Sequence, residues 1–332
     1  MILSKENNVK AEFGLFTEGG LKAAQLKEFL LVVPTNRKLR DLKKEIIAGY
    51  KGLGITSLNL ETLESLCGRL LSAGKMYIPL EEAPASVLLS QAVEETELRY
   101  FASYKGEMPK GTMSRIKSVI SEYKRHGINP DRLRGETEGL PYSEQLKITD
   151  IAGIFQRYKE KTDALRAYEA GDVYAELVAF TDEEFNSSFK SCFPEVKEIY
   201  INGFDEFSTL ELRILDRLSL IEGIKLYLRF DYYAGNPELF SHLYKCYTNL
   251  ESFGFTGTAV KKNKANGGFN GILKEKLFSE TAGARNKKFK ENIFKISSFN
   301  REEEVINIAK EVKQLILKEK ADPSRICLAF NL

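Results

Sequence analysis

A chain of 332 residues with 43% hydrophobic and 29% charged side chains is long and apolar enough for two or three globular domains with real cores. Its formal net charge of +2 excludes a global basic field, so any nucleic-acid site has to be a local patch. Cys67, Cys192, Cys246 and Cys327 stand far apart with no C-x-x-C pair, and His126 and His242 are the two histidines, so no metal site is assigned and the thiols read as buried or incidental. With no N-terminal signal pattern and no apolar run near the length of a membrane span, no membrane is expected as a partner and the cytoplasm is the expected location.

In chain order, Val9 to Thr17 reads as a strand, and Gly19-Gly20 breaks it before an Ala/Leu/Lys helix at 21–28. No G-x-x-x-x-G-K-[ST] phosphate loop follows; the Gly74-Lys75 pair is succeeded by Met76. ATP and Mg²⁺ are therefore not expected as cofactors. Phe29 to Val33 is a continuous apolar run of the buried parallel-strand kind, ended by Pro34. Thr35 or Asn36 then caps a helix with Leu39, Leu42 and Ile46 on its inner face. Arg37, Lys38 and Arg40 beside that helix N-terminus suit a phosphate backbone, and a solvated basic face is the plainer alternative.

Ile55 to Leu60 reads as the next strand, and Glu61-Thr62 opens a helix carrying Leu63, Leu66, Leu70 and Leu71 inward. The roughly 125 residues before the strand at 198 are too many for a structureless loop. Segments 83–101, 112–126, 144–166 and 170–180 read as helices, with one stripe of Met113, Ile116, Ile120 and Tyr123 and another of Ile151, Phe155, Tyr158 and Leu165. Arg115, Lys117, Lys124, Arg125 and Arg132 form a basic cluster there, read either as a channel lining or as dispersed helix surface.

Glu198 to Ile201 is β-rich, Asn202-Gly203 breaks it, and an apolar stripe (Leu210, Ile214, Leu218, Ile221) begins behind a Ser208-to-Glu211 capping box. This is strand, turn, helix. Ligands of open α/β sheets sit at the carboxyl ends of strands, so Asn202 to Glu206 occupies a candidate position, although a surface turn explains it equally. Ile224 to Phe230 reads as a further strand, followed by a helix at 237–253 and a Lys-rich connector with Gly267-Gly268. Ile293 to Ser297 reads as a strand, Asn300-x-x-Glu303 caps a helix striped by Val305, Ile308, Val312 and Ile316, and Ile326 to Phe330 reads as another strand.

Three stretches, LLVVPTNRKLRDLKKEI (30–46), ITSLNLETLESLCGRLL (55–71) and EIYINGFDEFSTLELRIL (198–215), resemble in order and spacing the N-terminal half of AddB, one of the two subunits of bacterial AddAB helicase-nucleases. FNREEEVINIAKEVKQLI (299–316) and RICLAF (325–330) extend the resemblance through nearly the whole chain, and no stretch resembles the family's nuclease. The resemblance implies a superfamily 1 helicase fold with a decayed ATPase: a RecA/P-loop-like parallel sheet with helices on both faces, an inserted all-helical domain and the start of a second RecA-like domain. In those terms 1–80 and 191–255 form the first domain, 81–190 the insertion, 256–292 a flexible basic linker and 293–332 part of the second domain, whose lone strand-helix-strand unit is expected to be a fragment of something larger.

The resemblance further implies single-stranded DNA contact through Thr35, Asn36, Arg37 and Lys38 and, at a T-L-x-S-like turn, through Thr62 and Ser65; Glu64 does not help a phosphate contact. It sets Asn202 and Gly203 where a motor has its acidic metal pair, so the carboxylates are missing, and Asp205-Glu206 lie three residues further on. No catalytic residue is expected. The resulting expectation is a non-catalytic DNA-holding or DNA-scanning region of a helicase-nuclease for double-strand-break repair and recombination, partnered by an AddA-type subunit. Two alternatives stay open: a structural docking subunit with no DNA contact, and an independent ATP-dependent helicase using unrecognised residues.

Overall fold

The computed structural model describes residues 2–5, 23–50, 57–104, 106–232, 238, 240–258, 268–269 and 287–329. The chain divides into a unit over Met1–Lys261 and a unit over Lys262–Leu332. The strand expected at Val9 to Thr17 lies outside the described residues.

In the first unit, β1 (Ile2–Ser4) is followed by a 3-10 turn over Ala23–Glu28 and by β2 (Phe29–Val33). Behind Pro34, α1 (Asn36–Gly49) is capped by the Thr35 hydroxyl, which accepts from Lys38 N–H at 3.3 Å. β3 (Asn59–Thr62) and α2 (Leu63–Gly74) repeat the strand-helix step. β4 (Ile78–Pro79) leads to α3 (Glu82–Glu94), α4 (Lys110–Arg125), α5 (Pro130–Gly135) and α6 (Tyr142–Leu165), and the chain returns through β5 (Ala167–Tyr168). α7 (Ala170–Ala179) and α8 (Asp182–Cys192) precede β6 (Glu198–Asn202), α9 (Thr209–Ser219), β7 (Lys225–Arg229), α10 (Ser241–Ser252) and β8 (Thr256–Thr258).

The main sheet has the order β3-β2-β6-β7-β1-β8. The first four strands are parallel, with Val33 beside Thr62, Val32 beside Ile201 and Ile199 beside Leu226. β1, however, runs antiparallel to both β7 and β8. The expected all-parallel sheet is thus corrected to a mixed one, and it extends to Thr258, past the boundary expected at 255. Side chains alternate between two buried faces. Leu30, Val32, Ile199, Ile201, Leu226 and Leu228 meet α2, α7, α8, α9 and α10. Leu31, Val33, Tyr200 and Tyr227 meet Leu26 and the Leu42, Ile46 and Tyr50 side chains in and just after α1. Leu30 to Val33 are fully buried, each stabilising the fold by about 1.5–3 kcal/mol. A one-residue slip would exchange the two faces, so this pattern fixes the register.

Between β4 and β5, which pair in parallel at Ile78 and Ala167, the helices α3 to α6 enclose a separate core that includes Leu89, Ile116, Ile120, Ile151, Phe155 and Tyr158. The Asp150 carboxylate, almost fully buried, accepts from the Arg99 and Phe101 N–H groups at 3.0 Å and pins the loop after α3. The expected helical stripes hold except at Leu165, the exposed last residue of α6. α7 and α8 belong instead to the sheet's core, through Val173, Tyr174, Leu177, Phe185 and Phe189. Arg217 of α9 fastens their junction by donating to the Leu177, Val178 and Thr181 carbonyl oxygens at 2.7, 3.1 and 2.9 Å.

The two layers meet where α4 crosses α7. A Cβ on Gly171 would lie 2.6 Å from Lys124 Cβ, so only glycine permits this approach. Lys124, nearly enclosed, donates to Glu169 at 2.9 Å and Asp172 at 2.8 Å and lies 4.8 Å from the centre of the Tyr158 ring. Burial acts to lower the Lys124 pKa, but Asp172 and Glu169 together outweigh it and hold the ammonium charged.

In the second unit, α11 (Arg301–Leu317) is capped by Asn300, which accepts from Glu303 N–H at 2.8 Å, while Glu303 accepts from Phe299 N–H at 2.9 Å. The strands expected at 293–297 and 326–330 are not formed among the described residues. A strand needs a hydrogen-bonded neighbour, and the described residues of this unit supply none. Ile293, Phe294 and Phe299 are exposed and no residue of α11 is fully buried.

Replacing Lys124 by Met leaves Glu169 and Asp172 buried without their cation and is expected to cost about 3–5 kcal/mol at neutral pH. Burial already raises the Asp172 pKa, so the folded variant binds more protons than the unfolded chain and its deficit narrows as pH falls. Urea unfolding at about pH 7 and about pH 5 checks this; a deficit that is flat or widens towards acid contradicts it.

Candidate nucleic-acid interface

Because β3, β2 and β6 are parallel neighbours, they deliver Thr62, Pro34-Thr35 and Asn202-Gly203 to the same edge of the sheet. Of the ten residues singled out in the sequence, Thr35, Asn36, Arg37, Lys38, Asn202 and Gly203 come together along the β2–β6 side of that edge. Thr62 and Ser65 lie beside them at the end of β3, and Asp205 and Glu206 lie further along the loop leaving β6.

On the β2 side, Thr35, Asn36, Arg37 and Lys38 are all exposed. Thr35 has its hydroxyl engaged as the cap, leaving the first N–H groups of α1 without partners inside the helix. Arg37, Lys38, Arg40, Lys43 and Lys44 are exposed along α1, against Asp41 and Glu45 as its acids. None of the five cations forms an ion pair among the described residues, whereas the inner face is held by Leu42 and Ile46. The local patch that the near-neutral total charge demanded is therefore present on one helix.

The β3 side differs. Thr62 is buried, and its hydroxyl accepts from Ser65 N–H at 3.1 Å while the Ser65 hydroxyl accepts from Thr62 N–H at 2.9 Å and donates to Glu61 at 2.6 Å. These bonds form a capping box, of a kind worth about 1 kcal/mol, in which both hydroxyls already have partners. Arg69 pairs with Glu61 and lies 4.5 Å from the centre of the Phe193 ring.

On the β6 side, Asn202, Gly203 and Phe204 are half-buried, and Phe204 stacks on the buried Phe207 at 4.9 Å. Asp205 and Glu206 are exposed in the loop ahead of α9. Ser208 closes that loop as the N-cap, with its N–H donating to Glu211 at 2.8 Å. Among the described residues no group of three His, Cys, Asp or Glu side chains is placed to hold a metal ion. The loop is tied to the helical layer by His126, whose Nδ1 lies 3.0 Å from Thr209 Oγ1, and by Arg125, 3.8 Å from Glu211. Spacing along the sequence gives no sign of this contact, which joins residues more than 80 positions apart.

The basic cluster expected on the helices is largely neutralised. Lys124 is buried between two acids, Lys117 pairs with Glu82 at 2.8 Å, and Arg125 faces Glu211. A cleft of about 300 Å³ beside them is lined by Glu64, Glu82 and Glu169 as well as Lys117, Lys124 and Arg125, so its acids and bases balance. Unbalanced positive charge is found on α1 instead.

These features define a mixed α/β protein with the usual ligand-binding edge of a parallel sheet, a cationic helix at that edge and a helical layer inserted between two short paired strands. The family model described as ADDB, N-terminal, matches residues 19–267, and the chain belongs to that family. Three proteins that carry the name of the AddB-type polypeptide of an ATP-dependent helicase/deoxyribonuclease are similar to it. The one from Exiguobacterium sibiricum is 28% identical over 220 residues, covering 63% of this chain and 18% of its own length. The one from Lachnoclostridium phytofermentans is 24% identical over 208 residues, covering 60% and 17%, and the one from Listeria innocua is 26% identical over 200 residues, covering 58% and 16%. The chain thus matches less than a fifth of each relative's length. No helix among the described residues is long and apolar enough to cross a membrane.

Proposed function

We propose that this chain is the helicase-like, non-catalytic DNA-holding region of an AddB-type subunit, and that single-stranded DNA runs along the edge where β2 and β6 end. The observation that carries this reading is the set of five exposed cations on α1, without ion-pair partners among the described residues, beside first-turn N–H groups that have no acceptor inside the helix. In this reading the sheet corresponds to a RecA-like domain, the α3 to α6 layer to the inserted helical domain of superfamily 1 helicases, and α11 to part of a second RecA-like domain. An AddA-type subunit supplies the motor, and the work of the pair is double-strand-break repair and recombination. ATP hydrolysis has no place here, because the sequence lacks a phosphate loop and has Asn202 and Gly203 where the motor family has its acids.

Salt-dependent binding tests the reading. A short single strand should bind the full chain with a log–log salt slope that falls by about 1.4 when Arg37 and Lys38 are both replaced by Ala, since each lost phosphate contact removes about 0.7. Unfolding midpoints should hold, because both side chains lie off the Leu42/Ile46 face. The same samples titrated with Mg·ATP should give no saturable heat. An unchanged salt slope in the double variant favours a docking surface without DNA contact, and a specific Mg·ATP site overturns the non-catalytic reading.

A further inference from the structure

Gly203 leaves β6 with φ +88°, in the left-handed region that favours glycine. The volume its missing Cβ would fill is taken by the side chain of Lys38: Cδ and Cε lie 3.3 and 2.8 Å from that point, and Nζ lies closest. The stem of Lys38 therefore crosses from α1 and rests flat on the end of the neighbouring strand. Its ammonium has no acidic partner among the described residues, although Asp205 and Glu206 follow in the same loop. A lysine on a bare helix surface explores many rotamers, and ordering it on binding opposes association. One already laid across a glycine presents its charge at a fixed place.

We infer that Gly203 is a positioning residue for Lys38, holding its ammonium at the sheet edge to meet a phosphodiester of a single strand. The inference rests on the proposed reading of this edge as a nucleic-acid surface. It assigns Gly203 two requirements that only glycine meets together: a backbone at positive φ and an unfilled Cβ position. Asn and Asp tolerate positive φ better than other side chains, so they test the second requirement while largely sparing the first. Asp adds a carboxylate within reach of the lysine.

The test measures binding of a labelled short oligothymidylate by the full chain across a salt series, for wild type, Lys38→Met, Gly203→Asn, Gly203→Asp and the Lys38→Met/Gly203→Asn pair. Lys38→Met should lower the salt slope by about 0.7. Gly203→Asn should reproduce most of that loss, Gly203→Asp should match or exceed it, and Gly203→Asn should add nothing once Lys38 is Met. If Gly203→Asn binds like wild type while Lys38→Met is weakened, or if the two losses add, this inference falls and the proposed function stands. If wild type shows no salt-dependent binding, both fall. A ligand-free measurement covers the case of a variant that does not fold. With lysines ¹³C-dimethylated, the wild-type Lys38 signal, assigned by its disappearance in Lys38→Met, should stand apart from those of freely exposed lysines. A Lys38 signal among the freely exposed set overturns the inference.

Discussion

The parallel pairing of β2 with β6 is the contact on which the remaining architecture depends. It joins Phe29 to Glu198 and Val32 to Ile201 across more than 160 residues of intervening chain. Both strands are central, buried on two faces by alternating side chains, so the pairing sets which residues face α1 and which face the α2, α7, α8 and α9 layer. It also places the exits of the two strands side by side. The cationic first turn of α1 and the Asn202-Gly203 turn are neighbours for that reason alone.

Enclosing a separate helical core between β4 and β5 separates two jobs within the first unit. The sheet offers an open edge, while the inserted layer is fixed to it by enclosed contacts: the Lys124 ion cluster at the α4–α7 crossing, the His126 contact with Thr209, and the Arg217 clasp at the α7–α8 junction. Charges that look alike in the sequence therefore serve different ends. Those on α4 are matched by acids and hold elements together, and those on α1 are left for a ligand.

Much of this was legible in the sequence where a local rule is strong. Thr35, Ser208 and Asn300 each announce a helix start, and each is the N-cap observed. The apolar run at 29–33 and the β-rich run at 198–201 are the two central strands. What stayed hidden depends on distant partners. β1 and β8 are three residues each and exist through their pairing with β7 and with each other, which no local pattern encodes. α8 shows only Phe185 and Phe189 as its apolar signal, although Thr181 and Glu184 form a capping box that marks its start. The apolar runs at 293–297 and 326–330 fail as strands for the opposite reason, having the composition without the neighbour. At the site, the cationic face of α1 was readable from spacing. The burial of Lys124, the mutual engagement of Thr62 and Ser65, and the contact of Lys38 with Gly203 belong to the folded chain.

The central claim is that a single strand lies on the β2–β6 edge, and hydrogen exchange of the full chain with and without an oligothymidylate addresses it directly. The account predicts slowed exchange confined mainly to the amides of the first turn of α1 and of the loop from Asn202 to Phe207, with the α3 to α6 layer unchanged. Protection of the α3 to α6 layer with no change at the β2–β6 edge would contradict it.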